Sequence, residues 1–115
     1  MSSDAGCIFC QIAKGTIPAT VIERHPHMLA IRDANPQAPD HLLIMPTNHV
    51  ESLDDCDDTE LLGQLMYLAR EVARKVHIDH GGYRVVLNHG DHGGQTVPHL
   101  HLHLMGGRRM KWPPG

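Results

Sequence analysis

His99-Leu100-His101-Leu102-His103-Leu104-Met105 alternates strictly between imidazole and apolar side chains until its last residue. A period of two is the period of a β-strand, whose successive side chains point to opposite faces. The leucines therefore enter a core, and His99, His101 and His103 share the other face at steps of about 6.5–7 Å. An ordinary solvent-facing strand side mixes Lys, Glu, Thr and Ser. Three identical titratable groups point instead to chemistry, because imidazole is both the acid–base group of neutral pH and the commonest metal ligand. One zinc ion held by all three is a poor fit, since that spacing is long for Zn–N bonds of about 2.0–2.1 Å.

Just upstream, Asn88-His89-Gly90-Asp91-His92-Gly93-Gly94-Gln95-Thr96 carries three glycines. Glycine admits positive φ and lets backbone N–H groups approach an anion closely. Such a loop by itself is usually a turn. Directly before an imidazole row it suggests a phosphate seat beside a nucleophile.

Working outward, Cys7–Lys14 predicts a short helix stopped by Gly15. Thr20–Arg24 and Met28–Arg32 predict strands joined through His25-Pro26-His27, and His41–Met45 predicts a compact strand ending at Pro46. Asp57 is placed to cap a long helix, with Glu60 completing a capping box. Leu61, Leu62, Leu65, Met66, Ala69, Val72, Ala73 and Val76 fall on one helical face, and Gly81-Gly82 break the helix. Tyr83–Leu87 predicts a further strand. About five strands, one long helix and one short helix, with mostly short connections, imply an α+β fold: an antiparallel meander with the long helix on one face.

The 115 residues fit one domain, spanning 1–115, and 20% charged against 41% hydrophobic residues is a globular balance. A net charge of −3 gives no general footprint for nucleic acid, though a mononucleotide phosphate can still be held by backbone N–H groups. No apolar run is long enough to span a bilayer. MSSDAGCIFC lacks a basic segment followed by an apolar one, so no signal peptide and a cytoplasmic location are expected. In that setting Cys7-x-x-Cys10 favours metal or redox chemistry over a disulfide framework, and no βαβ pattern surrounds it to favour redox.

These residues together resemble the histidine-triad family. HLHLHLM is similar to its signature. Asn88-x-Gly90-x-x-Gly93-Gly94-Gln95-Thr96-Val97-x-His99 resembles its phosphate loop, and Asp33-Ala34-x-Pro36-Gln37-Ala38-Pro39-x-His41 resembles its nucleoside-binding segment. The tail 106–115, Gly106-Gly107-Arg108-x-Met110-x-Trp112-Pro113-Pro114-Gly115, resembles that of the Hint branch, the purine nucleoside phosphoramidases. The resemblance implies hydrolysis of a P–N bond through a nucleotidyl-histidine intermediate on His101. It implies that the His99 carbonyl orients His101, that His103 stabilises phosphate charge, and that His41 orients or polarises. Thr96 stands where the family commonly has Ser and is placed to help protonate a leaving amine. Asp33, Ala34, Asn88, Gly94, Gln95, Thr96, His101, His103 and Trp112 are the implied nucleotide contacts.

The resemblance also implies a homodimer, with the long helix and Tyr83–Leu87 at its interface and Trp112 near the partner's site. Bacterial-type members hold structural zinc, and the matching ligands here are Cys7, Cys10, His49 and His99. No catalytic metal is expected. Two other readings stay open from sequence: a dinucleoside polyphosphate hydrolase of the same family, and a nucleotide-binding or interaction module with little turnover.

Overall fold

A computed structural model describes residues 6–115. In chain order the elements are α1 (Ile8–Lys14), β1 (Val21–Arg24), β2 (Met28–Arg32), β3 (Asp40–Pro46), a 3-10 turn (Leu53–Asp55), α2 (Thr59–Lys75), β4 (Tyr83–Val86) and β5 (Leu102–Gly106). All the strands pair antiparallel in one five-stranded sheet of order β1-β2-β3-β5-β4. The fold is α+β, as expected, but it is not a simple meander. The last strand in sequence inserts beside β3 and pushes β4 to the edge. Its pattern explains the position: Leu102 and Leu104 are buried in the main core on one face, and His103 lines the site on the other. β4, half-exposed throughout, tolerates the edge.

The sheet is covered on both faces, and β3 shows how. Leu42 and Ile44 point to α2 and join Ala30, Leu65, Leu68, Ala69, Val72, Leu102 and Leu104 in the main core. Leu43 and Met45 point the other way, where Leu29, Ile31 and the α1 residues Phe9 and Ile12 form a second core. A continuous apolar run such as HLLIM is what burial on two faces requires. Each fully buried leucine contributes about 1.5–3 kcal/mol.

Several local expectations are corrected. Asp58, not Asp57, caps α2, accepting the Leu61 N–H at 3.0 Å. The third helical position is then Leu61, so Glu60 forms no capping box. Met66 is 52% exposed, while Leu68 is buried in its place. The helix ends before the Gly81-Gly82 pair. His77 takes a left-handed conformation (φ 64°), and the His77 and Ile78 N–H groups return to the carbonyls of Arg74 and Ala73. That is a Schellman closure with histidine where glycine is usual. The imidazole row is only partly in the sheet: pairing with β3 begins at Leu102, opposite Ile44, although β3 itself runs on to Pro46. Leu100 is instead tied by its N–H to the Val50 carbonyl at 2.6 Å. The faces still alternate, with Leu100, Leu102 and Leu104 all in the α2 core.

Candidate functional site

The three histidines of the row have three separate surroundings. His99, fully buried, turns its Nδ1 towards Cys7 Sγ at 3.2 Å and Cys10 Sγ at 3.5 Å. His49 places its own Nδ1 3.3 Å from Cys10 Sγ. The ligand atoms of Cys7, Cys10, His49 and His99 all lie within 4.8 Å of one another. Two thiols and two imidazole nitrogens, converging from a helix start, a loop and the row, make a structural zinc site. The outer contact of His99 supports this. Its Nε2 donates to the Pro46 carbonyl at 2.9 Å, which fixes the tautomer that leaves Nδ1 a lone pair for metal.

His101 is the second. Its Nδ1 lies 2.7 Å from the carbonyl oxygen of His99. A carbonyl only accepts, so Nδ1 carries the proton and Nε2 keeps its lone pair. Burial pushes the His101 pKa down, opposed by the bond to the His99 carbonyl and by the Asp33 charge. The ring is therefore neutral at pH 7.

His103 is the third, and its state is set by a relay. The Gln37 N–H donates to His41 Nδ1 at 2.9 Å, so His41 carries its proton on Nε2. That Nε2 donates to His103 Nδ1 at 2.9 Å, with Asp33 Oδ2 a longer partner at 3.3 Å. His103 must then hold its own proton on Nε2, as a donor. Burial, then the neighbouring His101 and His41, push its pKa down to about 4 against the pull of Asp33. Burial likewise lowers that of His41. Asp33, His41 and His103 also cluster closely enough to suggest a second metal site. The Gln37 N–H argues against it, because it keeps a proton on the His41 nitrogen that a metal would need.

His41, His101, His103, Asp33, Ala34 and Thr96 all line one cavity of about 700 Å³. Its other wall is apolar: Ile8, Phe9 and Ile12 of α1, then Ile17, Ile31 and Leu43. The volume and the mixture of apolar wall with a few converging polar groups suit a small organic ligand. Asp33 Oδ1 accepts the Asn35 N–H at 2.8 Å, which holds the carboxylate at the cavity edge.

Other expected contacts lie elsewhere. Asn88, Gly94 and Gln95 do not line the cavity. The Gln95 side chain staples the glycine-rich loop, accepting from Gly90 N–H and donating to the Glu51 and Val97 carbonyls. The Gly94 N–H closes on the Asp91 carbonyl. Gly93 is required sterically, since a Cβ there would collide with the His89 carbonyl oxygen. Trp112 is 80% exposed at the β4 edge, with the Arg84 guanidinium 5.9 Å from its ring centre. Sequence reasoning missed Phe9 and the backbone groups of Gln37 and Pro46. Phe9 carried one signal, its position between the two cysteines; the backbone groups carried none.

Known proteins resemble this chain in sequence and fold. A 14 kDa zinc-binding protein of Zea mays is 46% identical, over 97% of this chain and 90% of its own length. The crystal structure of a HIT family hydrolase from Legionella pneumophila superposes with a TM-score of 0.92 at 49% identity, covering 95% of this chain and 99% of that one. A histidine triad nucleotide-binding protein from Candida albicans superposes at 0.81 and 29% identity, covering 93% and 82%. The HIT domain pattern itself runs through residues 14–110, from the end of α1 into the tail, and with it the chain belongs to the HIT domain family.

Proposed function

We propose that this chain is a Hint-type phosphoramidase that hydrolyses purine nucleoside 5′-phosphoramidates to the nucleoside monophosphate. The observation that carries the reading is the 2.7 Å bond from His101 Nδ1–H to the His99 carbonyl, which leaves Nε2 of a neutral imidazole as a nucleophile in the cavity. His101 Nε2 bonds to the α-phosphorus as the P–N bond breaks. The leaving nitrogen takes a proton, for which the Thr96 hydroxyl is the group at the cavity. Water then attacks the nucleotidyl-histidine, its oxygen bonding to phosphorus as the P–N bond to His101 breaks and one of its protons returning to Thr96, which releases the monophosphate and restores the imidazole. His103 Nε2–H stabilises the charge that develops on the phosphate oxygens. Asp33 accepts from ribose hydroxyls, and the apolar wall from α1 holds a purine. Bound zinc contributes rigidity only: His99 gives it a side chain while its carbonyl serves His101.

The protein acts in the cytoplasm, where a thiol pair remains available for metal. It forms a homodimer through the β4 edge and α2, with Trp112 beside that edge; the support is the unpaired edge strand and the exposed side chain of Met66 on α2. No helix among the described residues is long and apolar enough to cross a membrane.

The test is AMP release from adenosine 5′-phosphoramidate by the wild type and by His101→Ala. Release by the wild type and its loss by orders of magnitude in a folded variant is expected. No release from a folded wild-type protein that still binds AMP would leave a binding module and end the enzymatic reading. Faster turnover of a diadenosine polyphosphate would shift the substrate class.

A further inference from the structure

The two zinc thiols are separated by two side chains, Ile8 and Phe9, and both of these line the cavity. Cys7 caps α1, its Sγ accepting the Cys10 N–H, so the thiols stand one above the other on one side of the first turn. Ile8, Phe9 and Ile12 meet the cavity from the neighbouring stripe. α1 has seven residues, too few to persist as an isolated helix. Its position, and with it the apolar cavity wall, depends on tertiary anchors. One anchor is the burial of Phe9 and Ile12, and the other is the Cys/His cluster.

Phe9 also joins the two centres directly. Its ring meets His99, the zinc ligand, edge-on at 5.7 Å, and His101, the nucleophile, edge-on at 5.1 Å. We infer that Phe9 is a positioning residue that couples zinc occupancy to nucleotide binding. The inference rests on the nucleotide reading of the cavity. With zinc bound, the first turn of α1 is pinned and the wall is formed. Without it, only a fraction of molecules has the wall in place, and apparent nucleotide affinity falls by that fraction. Linkage then requires the reverse: a nucleotide must tighten zinc by the same factor.

Two titrations on the full chain test this. Zinc affinity is read by competition with a chromogenic chelator, with and without saturating AMP. AMP affinity is read by calorimetry on zinc-loaded and zinc-stripped protein. The expected result is that both affinities shift in the same sense by one common factor, about fivefold or more. Phe9→Leu, which keeps an apolar side chain but removes the ring, is expected to lower that factor while zinc remains stoichiometric. Should the stripped chain unfold, any ligand of the folded state would retain zinc, and Phe9→Leu becomes the deciding arm. There, an undiminished effect of AMP on zinc release overturns the role of Phe9. Equal AMP affinity with and without zinc overturns the coupling and leaves the nucleotide reading intact. No AMP binding to the loaded protein overturns both.

Discussion

Replacing His41 with alanine breaks the relay that fixes the proton on His103. In the native chain, Gln37 N–H to His41 Nδ1 and His41 Nε2–H to His103 Nδ1, each 2.9 Å, leave His103 no choice but to donate through Nε2. Without the His41 imidazole, His103 Nδ1 has lost its donor, and the ring is free to take its proton there. The nitrogen offered to substrate then becomes an acceptor facing phosphate oxygens. A hydrogen bond to a charged group is worth about 1.5–3 kcal/mol. At about 1.4 kcal/mol per tenfold, kcat for adenosine 5′-phosphoramidate should fall roughly 10- to 150-fold. KM should change less, because the charge on the phosphate oxygens is greatest in the transition state. Steady-state kinetics give the rate, and ¹⁵N chemical shifts of the His103 ring report its tautomer. The Gln37 N–H also loses its acceptor, so a modest drop in melting temperature is expected, with the folded spectrum retained. A variant within about twofold of wild type, with His103 still protonated on Nε2, would refute the relay.

Other perturbations follow from the same geometry. Stripping zinc from the Cys7, Cys10, His49 and His99 cluster is expected to lower the melting temperature by about 10 °C or more, as the loss of a few kcal/mol does in a domain of this size, which scanning calorimetry reads directly. Asp58→Ala should cost about 1 kcal/mol in urea denaturation, and Asp57→Ala close to nothing; the opposite order would misplace the cap. His77→Gly should stabilise by about 1 kcal/mol, since glycine removes the left-handed penalty at φ 64°. Acid should weaken the fold through His103. Its folded pKa of about 4 lies below the unfolded value near 6.5, so its contribution is complete above about 6.5 and is lost as pH falls towards 4. Urea midpoints at pH 7 and pH 5 check the sign.

Much of the site could be read in the chain because period-two alternation is a strong local signal. It placed His99, His101 and His103 against a leucine core, and Leu100, Leu102 and Leu104 are buried there. The cysteine spacing likewise announced a ligand pair. What stayed hidden was set by tertiary context. Four aspartates lie between Asp54 and Asp58, and the 3-10 turn at Leu53–Asp55 decides which one reaches the helix start. Strand order was not legible either, since nothing local in Tyr83–Val86 marks it as an edge. The relay to His103 begins at a backbone N–H, which every residue but proline possesses and which no sequence pattern distinguishes. Gln95 shows the reverse: a polar side chain beside a phosphate loop reads as a ligand from sequence, while the bonds by which it braces that loop carry no sequence signal.

The division of labour within His99 bears on how such a chain can change over generations. Its imidazole belongs to the metal cluster, yet His101, the proposed nucleophile, leans only on its carbonyl, and every amino acid supplies a carbonyl. Cys7, Cys10 and His49 lend nothing of their side chains to bond making. A lineage can therefore exchange the metal for ordinary packing without altering the bond that orients the proposed nucleophile. The nucleophile's side chain allows no such drift.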